Sequence, residues 1–533
     1  MADTSKQFDA IVVGAGFGGM YMLHLLRNMG LEVQGYERGS GVGGTWYWNR
    51  YPGCRCDVES MEYSYQFSDD LQQEWNWTER YSAQPEILAY ANHVAEKFDI
   101  QSLIQFDTAI VAASYDAEAA CWQVTTQTGE RVRSRYLIMA TGCLSAANIP
   151  DFAGLDTFQG EIYHTGDWPA DGVDFAGKKV GIIGTGSSGI QSIPLIAEQA
   201  GHLTVFQRTP NYSVPAQNGP IEQDRVAEIK ANYADFRARN KQQQPAFGAD
   251  YPRRTDSVFD VSPEEREQRF EEYWNYGGFM FLAAFADISL DAEANAHAAE
   301  FVRNKIRATV TDPATAELLC PDTIIGCKRL CADSGYYATY NRSNVQLVDI
   351  SQAPIDALTP TGLVTGGAEY EFDVIVFATG FDAMTGALLK ADITGVGGLS
   401  LRDKWSAGPR TYLGLMTAEF PNLFMMTGPG SPSVLANMVT GVEHHAEFIA
   451  QMIEWAQQQS FVELAADNAA ENQWVDVVNM RSQATLFPRC NSWYLGANVP
   501  GKPRVFMPYV GFPDYAAKLV DVARQGYEGF AAR

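Results

Sequence analysis

The chain has 533 residues, too many for one ordinary hydrophobic core, so two or three domains are expected. Its 39 basic and 64 acidic residues leave a net charge of −25, a field that repels nucleic-acid phosphates and anionic lipid headgroups and argues against both as partners. No apolar run is long enough to span a bilayer, and the N-terminal MADTSKQFDA has neither a basic start nor an apolar stretch, so no membrane partner and a cytoplasmic location are expected.

Residues 10–13 read as an apolar strand leading into Gly14, Gly16 and Gly19, a G-x-G-x-x-G turn at the start of a helix. The first glycine permits the tight turn, the second lets backbone approach a pyrophosphate, and the third lets helix and strand pack closely. Glu37 stands 23 residues after Gly14, at the end of the next strand, where a carboxylate accepts hydrogen bonds from ribose hydroxyls. Gly14, Gly16, Phe17, Gly19 and Glu37 are therefore candidates for a dinucleotide with a free ribose, such as FAD. A glycine- and aromatic-rich loop, Gly41 to Ser60, follows. Next, YLIMATG runs a strand into Ala-Thr-Gly, where small residues allow close backbone approach.

A second cradle lies downstream. Residues 180–183 lead into Gly184, Thr185, Gly186, Ser187, Ser188 and Gly189, with Gln191 in the helix that follows. Here the residue 24 positions after Gly184 is Arg208, followed by Thr209, with no acid at the strand end. A guanidinium and a hydroxyl suit a 2′-phosphate, so NADPH is expected rather than NADH; a solvated surface arginine is the competing reading. A second strand-to-Ala-Thr-Gly turn occurs in DVIVFATGFDA. The fold class is accordingly α/β, with two Rossmann-like dinucleotide-binding domains and a helical insertion. FAD-binding parts are expected at 1–145 and 385–533, NADP-binding parts at 146–213 and 326–384, and the insertion at 214–325. Within the insertion, Ser262-Pro263-Glu264-Glu265 predicts a capped helix start, DAEANAHAAEFVRNKIRATV a second helix, and Asp312-Pro313 the start of a third. The eight cysteines lack metal-ligand spacing, so no metal is expected, and the thiols are expected to be reduced.

Between the first Ala-Thr-Gly and the second cradle stand Phe158, Gly160, His164, Trp168 and Pro169. Their spacing resembles the fingerprint of Baeyer–Villiger monooxygenases, FxGxxxHxxxW followed by Pro or Asp, at every fixed position. Heteroatom flavin monooxygenases carry Tyr or Phe where Trp168 stands. The likeness is nearest to the phenylacetone and steroid monooxygenase branch and runs to GANVPGKPRVFM and GYEGF near the C-terminus. It implies tightly held FAD, reduction by NADPH, and a C4a-peroxyflavin made with dioxygen. That species attacks a cyclic, aromatic or steroidal ketone to give an ester or lactone, in a protein expected to be a monomer. It implies further that Thr45, Trp46, Tyr47, Trp48, Asp57, Tyr63 and Met438 lie along the flavin. Arg329, held by Asp57, is the implied active-site arginine, and Lys328 and Trp493 serve the nicotinamide dinucleotide. Ser433, Val434 and Leu435 face the ketone. His164 is expected to couple the domains rather than to do chemistry. The alternatives are a flavin-containing heteroatom (S/N) monooxygenase and a non-catalytic dinucleotide-binding redox sensor.

Overall fold

Two sheets, one mixed and one parallel, carry the two glycine turns. In the computed structural model, which describes residues 6–251 and 254–533, the first sheet has eight strands. The first five residues of the N-terminal stretch read above lie outside that description. In order, seven of its strands are Asp392–Thr394, Ile110–Asp116, Cys121–Thr126, Arg131–Met139, Lys6–Val13, Val33–Tyr36 and Ile104–Gln105, and Leu423–Met425 pairs beside Arg131–Met139. Lys6–Val13 pairs in parallel with both Val33–Tyr36 and Arg131–Met139. Ala10, Ile11 and Val12 are fully buried, as a central parallel strand covered on both faces requires. The second sheet is parallel throughout, in the order Val345–Asp349, His202–Gln207, Lys179–Ile183, Val374–Phe377 and Glu161–His164.

The chain returns to the first sheet after residue 377, through Asp392–Thr394 and Leu423–Met425. Each sheet is thus assembled from segments far apart in sequence. The long helix Met438–Gln458 then packs on the helix Phe17–Asn28 of the first glycine turn.

Helix starts differ by purpose. In the 214–325 stretch, Pro263–Tyr276 begins with the predicted capping box, Ser262 and Glu265, while Ala292–Thr309 and Pro313–Leu319 are capped by the carboxylates of Asp291 and Asp312. The helices Phe17–Asn28 and Ser187–Gln199 begin at Gly16 and Gly186 with no side-chain cap and no acid in the first turn. Their leading N–H groups and positive dipole ends are left for an external anion.

One expectation is corrected. Cys327 and Cys490 are joined in a disulfide, with Cα atoms 6.1 Å apart, inside the range such a bond spans. The partners lie 163 residues apart, so only the fold brings them together and no local spacing reveals the pair. No helix among the described residues is long and apolar enough to cross a membrane.

Candidate active site

The geometry of each cradle distinguishes its three glycines. Gly14 has φ +105°, and a Cβ there would sit 2.6 Å from the Ala140 carbonyl oxygen; at Gly19 it would strike the Gly14 oxygen. Gly184 has φ +111° with the Ala378 oxygen at 2.5 Å, and a Cβ on Gly189 would strike the Gly184 oxygen. Ala140 and Ala378 open the two Ala-Thr-Gly turns, so each turn is the close neighbour of one cradle. The middle glycines are different. A Cβ on Gly186 would meet nothing within 4 Å, and one on Gly16 would meet only Gly44 backbone at 3.5 Å. The space beside those two backbones, in front of uncapped helices, fits the pyrophosphates of FAD and of NADPH. Glu37 is buried and its carboxylate accepts from the N–H groups of Ala15 and Gly39, both at 2.8 Å. That anchors the acid at the end of its strand, with lone pairs remaining for ribose.

A cleft of about 970 Å³, at the upper end for a single small-ligand pocket, runs between the two sheets. The first-domain side contributes Thr45, Trp46, Asp57 and Tyr63 to its wall, and the indole N–H of Trp46 donates to the Tyr63 hydroxyl at 3.2 Å. Tyr47 and Trp48, from the same helical turn, pack against Gly39 beneath the guanidinium groups of Arg50 and Arg38. The second cradle contributes Gly184 to Ser188, Gln191, Arg208 and Thr209. Gln191 reaches across: its carbonyl accepts from the Tyr51 hydroxyl at 2.8 Å and its amide donates to the Arg55 carbonyl at 3.1 Å. The second cradle's helix is thereby fastened to the loop that presents Asp57.

At the junction, Arg329 and Asp57 form a fork-to-fork pair, Nε to Oδ2 and Nη2 to Oδ1, each 2.6 Å. The remaining arm, Nη1, donates to the Val434 carbonyl at 2.8 Å, and the Phe279 ring lies 4.8 Å from the guanidinium carbon. Burial by itself lowers the guanidinium pKa, but the adjacent Asp57 carboxylate outweighs it and holds the value above the ordinary one. Arg329 is therefore a fixed cation. Val434 is aimed by strain: the preceding residue, Ser433, is buried with φ +44°, an unusual conformation for a residue with a side chain. Ser433 and Leu435 complete this short turn without lining the cleft, whereas Val434, Met438 and Trp493 do line it.

Two further cations face the cleft. Arg208 is exposed and Lys328 half-buried, and neither has a hydrogen bond or ion pair among the described residues. Burial, and then the neighbouring Arg208, lowers the Lys328 pKa. Two unpaired cations held close together in an acidic protein mark a place for an anion.

Phe279 and the Tyr51–Gln191 link are absent from the sequence reading. Phe279 comes from the 214–325 stretch, which that reading gave no site role. The double glycine before the aromatic run, GGFMF, was the available signal.

The flavin-binding monooxygenase-like family model matches residues 8–214. Over 526 residues, 98% of this chain and 95% of the relative, the sequence is 44% identical to a Baeyer–Villiger monooxygenase of Pseudooceanicola batsensis. This chain belongs to the Baeyer–Villiger monooxygenases. Among solved structures, this monooxygenase resembles an oxidised steroid monooxygenase bound to NADP, with TM-score 0.93 and 52% identity over 99% of both chains. It also resembles closed cyclohexanone monooxygenase, with TM-score 0.97 and 43% identity over 99% of this chain and 100% of that one. A phenazine N-monooxygenase of Lysobacter antibioticus is 42% identical over 99% of this chain and 98% of the relative.

Proposed function

We propose that this Baeyer–Villiger monooxygenase takes one atom of dioxygen and inserts it beside the carbonyl of a ketone, giving an ester or lactone. When bound, FAD on the first cradle and NADPH on the second supply the hydride and the activated oxygen. The observation that carries the reading is the Arg329–Asp57 pair, held where the two cradles meet in one cleft. Arg329 is the catalytic cation: its charge stabilises negative charge developing on oxygen as the carbonyl is attacked. Asp57 is its catalytic partner, fixing the plane of the fork. Because Arg329 keeps its protons, it acts by charge and hydrogen bonding, never as an acid.

Around this pair we assign the remaining roles. Arg208, Thr209 and Lys328 hold the 2′-phosphate side of NADPH, with Ser187, Ser188 and Gln191 along the pyrophosphate. Thr45, Trp46, Tyr63 and Met438 border the flavin, and Glu37 its ribose. Val434, positioned by Ser433 and Leu435, faces the ketone, and Trp493 covers the nicotinamide end. The division at residues 145, 213, 325 and 384 separates FAD-binding, NADP-binding and inserted parts, in a cytoplasmic monomer.

The test supplies the purified enzyme with NADPH, oxygen-18 gas and a panel of ketones and weighs the products. One labelled oxygen in an ester or lactone is the expected result. Label found only in hydrogen peroxide, with every ketone recovered intact, overturns the assignment. The kinship with a phenazine N-monooxygenase supports a second reading, oxygen transfer to nitrogen. Faster turnover of a tertiary amine than of any cyclic ketone would decide for it.

A further inference from the structure

The cleft has one covalent fastening, and none of the roles above uses it. Cys327 immediately precedes Lys328 and Arg329, and its disulfide partner Cys490 lies three residues before Trp493, which lines the cleft. The bond therefore joins the segment carrying the site's cations to the stretch between the helices Asn468–Gln483 and Phe512–Arg524. That stretch, residues 484–511, contains only two three-residue 3₁₀ turns, Phe487–Arg489 and Trp493–Leu495. No strand ladder holds it. Its polar ties to the second Ala-Thr-Gly turn are at its far end. There Asn498 donates to the Phe381 carbonyl at 2.7 Å, and Lys502 pairs with Asp382 and donates to the Ala383 carbonyl at 2.6 Å. At the Arg329 end, the disulfide adds a covalent tie to the Leu486 N–H bond with the Ser289 carbonyl at 3.0 Å and to the packing of Tyr494 with Val434.

The two sulfurs are unequally placed. Cys327 is buried, while Cys490 is half-buried between the exposed residues Arg489 and Asn491. An incoming thiolate meets Cys490 first, and the leaving group is then Cys327, whose next two residues are cations.

We propose that the Cys327–Cys490 bond is a reversible redox latch, which when formed holds residues 484–511 down over the nicotinamide end of the cleft and when reduced lets them lift. A dithiol opens it: its thiolate bonds to Cys490 and expels Cys327, and its second thiol then displaces Cys490. Two protein thiols and a cyclic disulfide result. Hydrogen peroxide closes it: two S–H bonds and one O–O bond break, one S–S bond forms and two waters leave. The thiols give up the two electrons that the peroxide takes. The effect on dinucleotide retention rests on the reading that the second cradle holds NADP; the latch itself does not.

The experiment uses the full-length enzyme after dithiothreitol or hydrogen peroxide, beside Cys490→Ser. Alkylation and peptide mapping should find the 327–490 pair bonded after peroxide and free after dithiothreitol. Proteolysis within 484–511 should quicken on reduction on the order of tenfold, the scale of a modest gain in local opening. Release of NADP⁺ should quicken with it, and Cys490→Ser should match the reduced wild type in both reagents. Free thiols after peroxide in the folded enzyme overturn the latch. So does equal proteolysis of bonded and reduced forms, or a dithiothreitol response that persists in Cys490→Ser. Faster proteolysis with unchanged NADP⁺ release overturns the gating half of the proposal. Wild-type enzyme that binds no NADP⁺ in either state instead overturns the reading of the second cradle, and proteolysis still decides the latch.

Discussion

Arg329→Lys keeps a positive charge at the junction and removes the fork, which separates charge from geometry. In the native site Nε and Nη2 each meet a carboxylate oxygen of Asp57 at 2.6 Å, and Nη1 meets the Val434 carbonyl at 2.8 Å. An ammonium on a lysine stem reproduces at most one of these contacts. Losing two charge-assisted hydrogen bonds at ~1.5 kcal/mol each removes about 3 kcal/mol. Each bond lies at the low end for a charged group because the two side chains keep 24% and 23% of their exposure, so water replaces part of what is lost. Where that stabilisation is felt in the transition state, ketone oxygenation falls roughly 10²-fold. Arg329→Ala, which also loses the charge, should abolish it. The assay measures ester or lactone by gas chromatography beside NADPH oxidation and flavin absorbance. The expected lysine variant is yellow, still consumes NADPH, and makes little ester. A variant retaining more than half the native ester yield would refute the role of the fork, and one purified without flavin would show the pair to be structural.

The two cradles make separable predictions. Gly184→Ala puts a Cβ 2.5 Å from the Ala378 oxygen at φ +111° and should cost ~1–3 kcal/mol of stability, read from denaturant midpoints. Gly186→Ala meets open space and should leave the midpoint unmoved while raising KM for NADPH; equal effects from both substitutions would contradict the cradle geometry. Arg208→Ala should reduce the NADPH-over-NADH preference in kcat/KM by roughly 10- to 100-fold, one charge-assisted contact to a phosphate, and an unchanged preference would assign Arg208 to the solvated surface. Stability should also depend on pH behind the site, because burial pushes the Glu443 carboxyl up to about 7 and Glu62 up to about 8, while burial lowers His444 to about 4 and His445 to about 3. Above the ordinary histidine value of about 6.5 the histidines are neutral in both states, and only the acids, which bind protons more tightly folded than unfolded, contribute, so stability falls as pH rises from about 6.5 to about 8. Glu443→Gln should flatten that slope, and a flat native profile in urea midpoints would remove its cause.

What could be read in the sequence was whatever depends on local backbone. The glycine turns were legible because a tight strand-to-helix turn admits few side chains, and the helix starts at Ser262 and Asp312 because capping acts within one turn. The bidentate pairing of Arg329 with Asp57 spans 272 residues and was reached by family resemblance, since nothing adjacent to either residue specifies the other. The disulfide was missed for the same reason, compounded by the expectation of reduced thiols. Phe279 was missed because a stretch rich in charged helices reads as solvated cover. Only the fold shows that its one glycine-hinged aromatic run turns inward beneath Arg329.

The most diagnostic stretch, Phe158 to Pro169, contributes no side chain to the cleft, and its contacts explain how it is nonetheless tied to function. Burial lowers the His164 pKa and keeps the ring neutral; Nδ1 accepts from the Gly166 N–H at 2.9 Å, which leaves the proton on Nε2, facing the Thr379 hydroxyl at 3.3 Å. Thr379 belongs to the second Ala-Thr-Gly turn, against the second cradle. Four residues on, the backbone N–H of Trp168 donates to the Trp48 carbonyl at 3.1 Å, in the turn that presents Thr45 and Trp46 to the cleft. The segment thus grips one element from each nucleotide site within five residues of chain. Its spacing is constrained by the distance between two cofactor sites that must work together in one cleft, so the pattern marks the reaction although its side chains do not perform it.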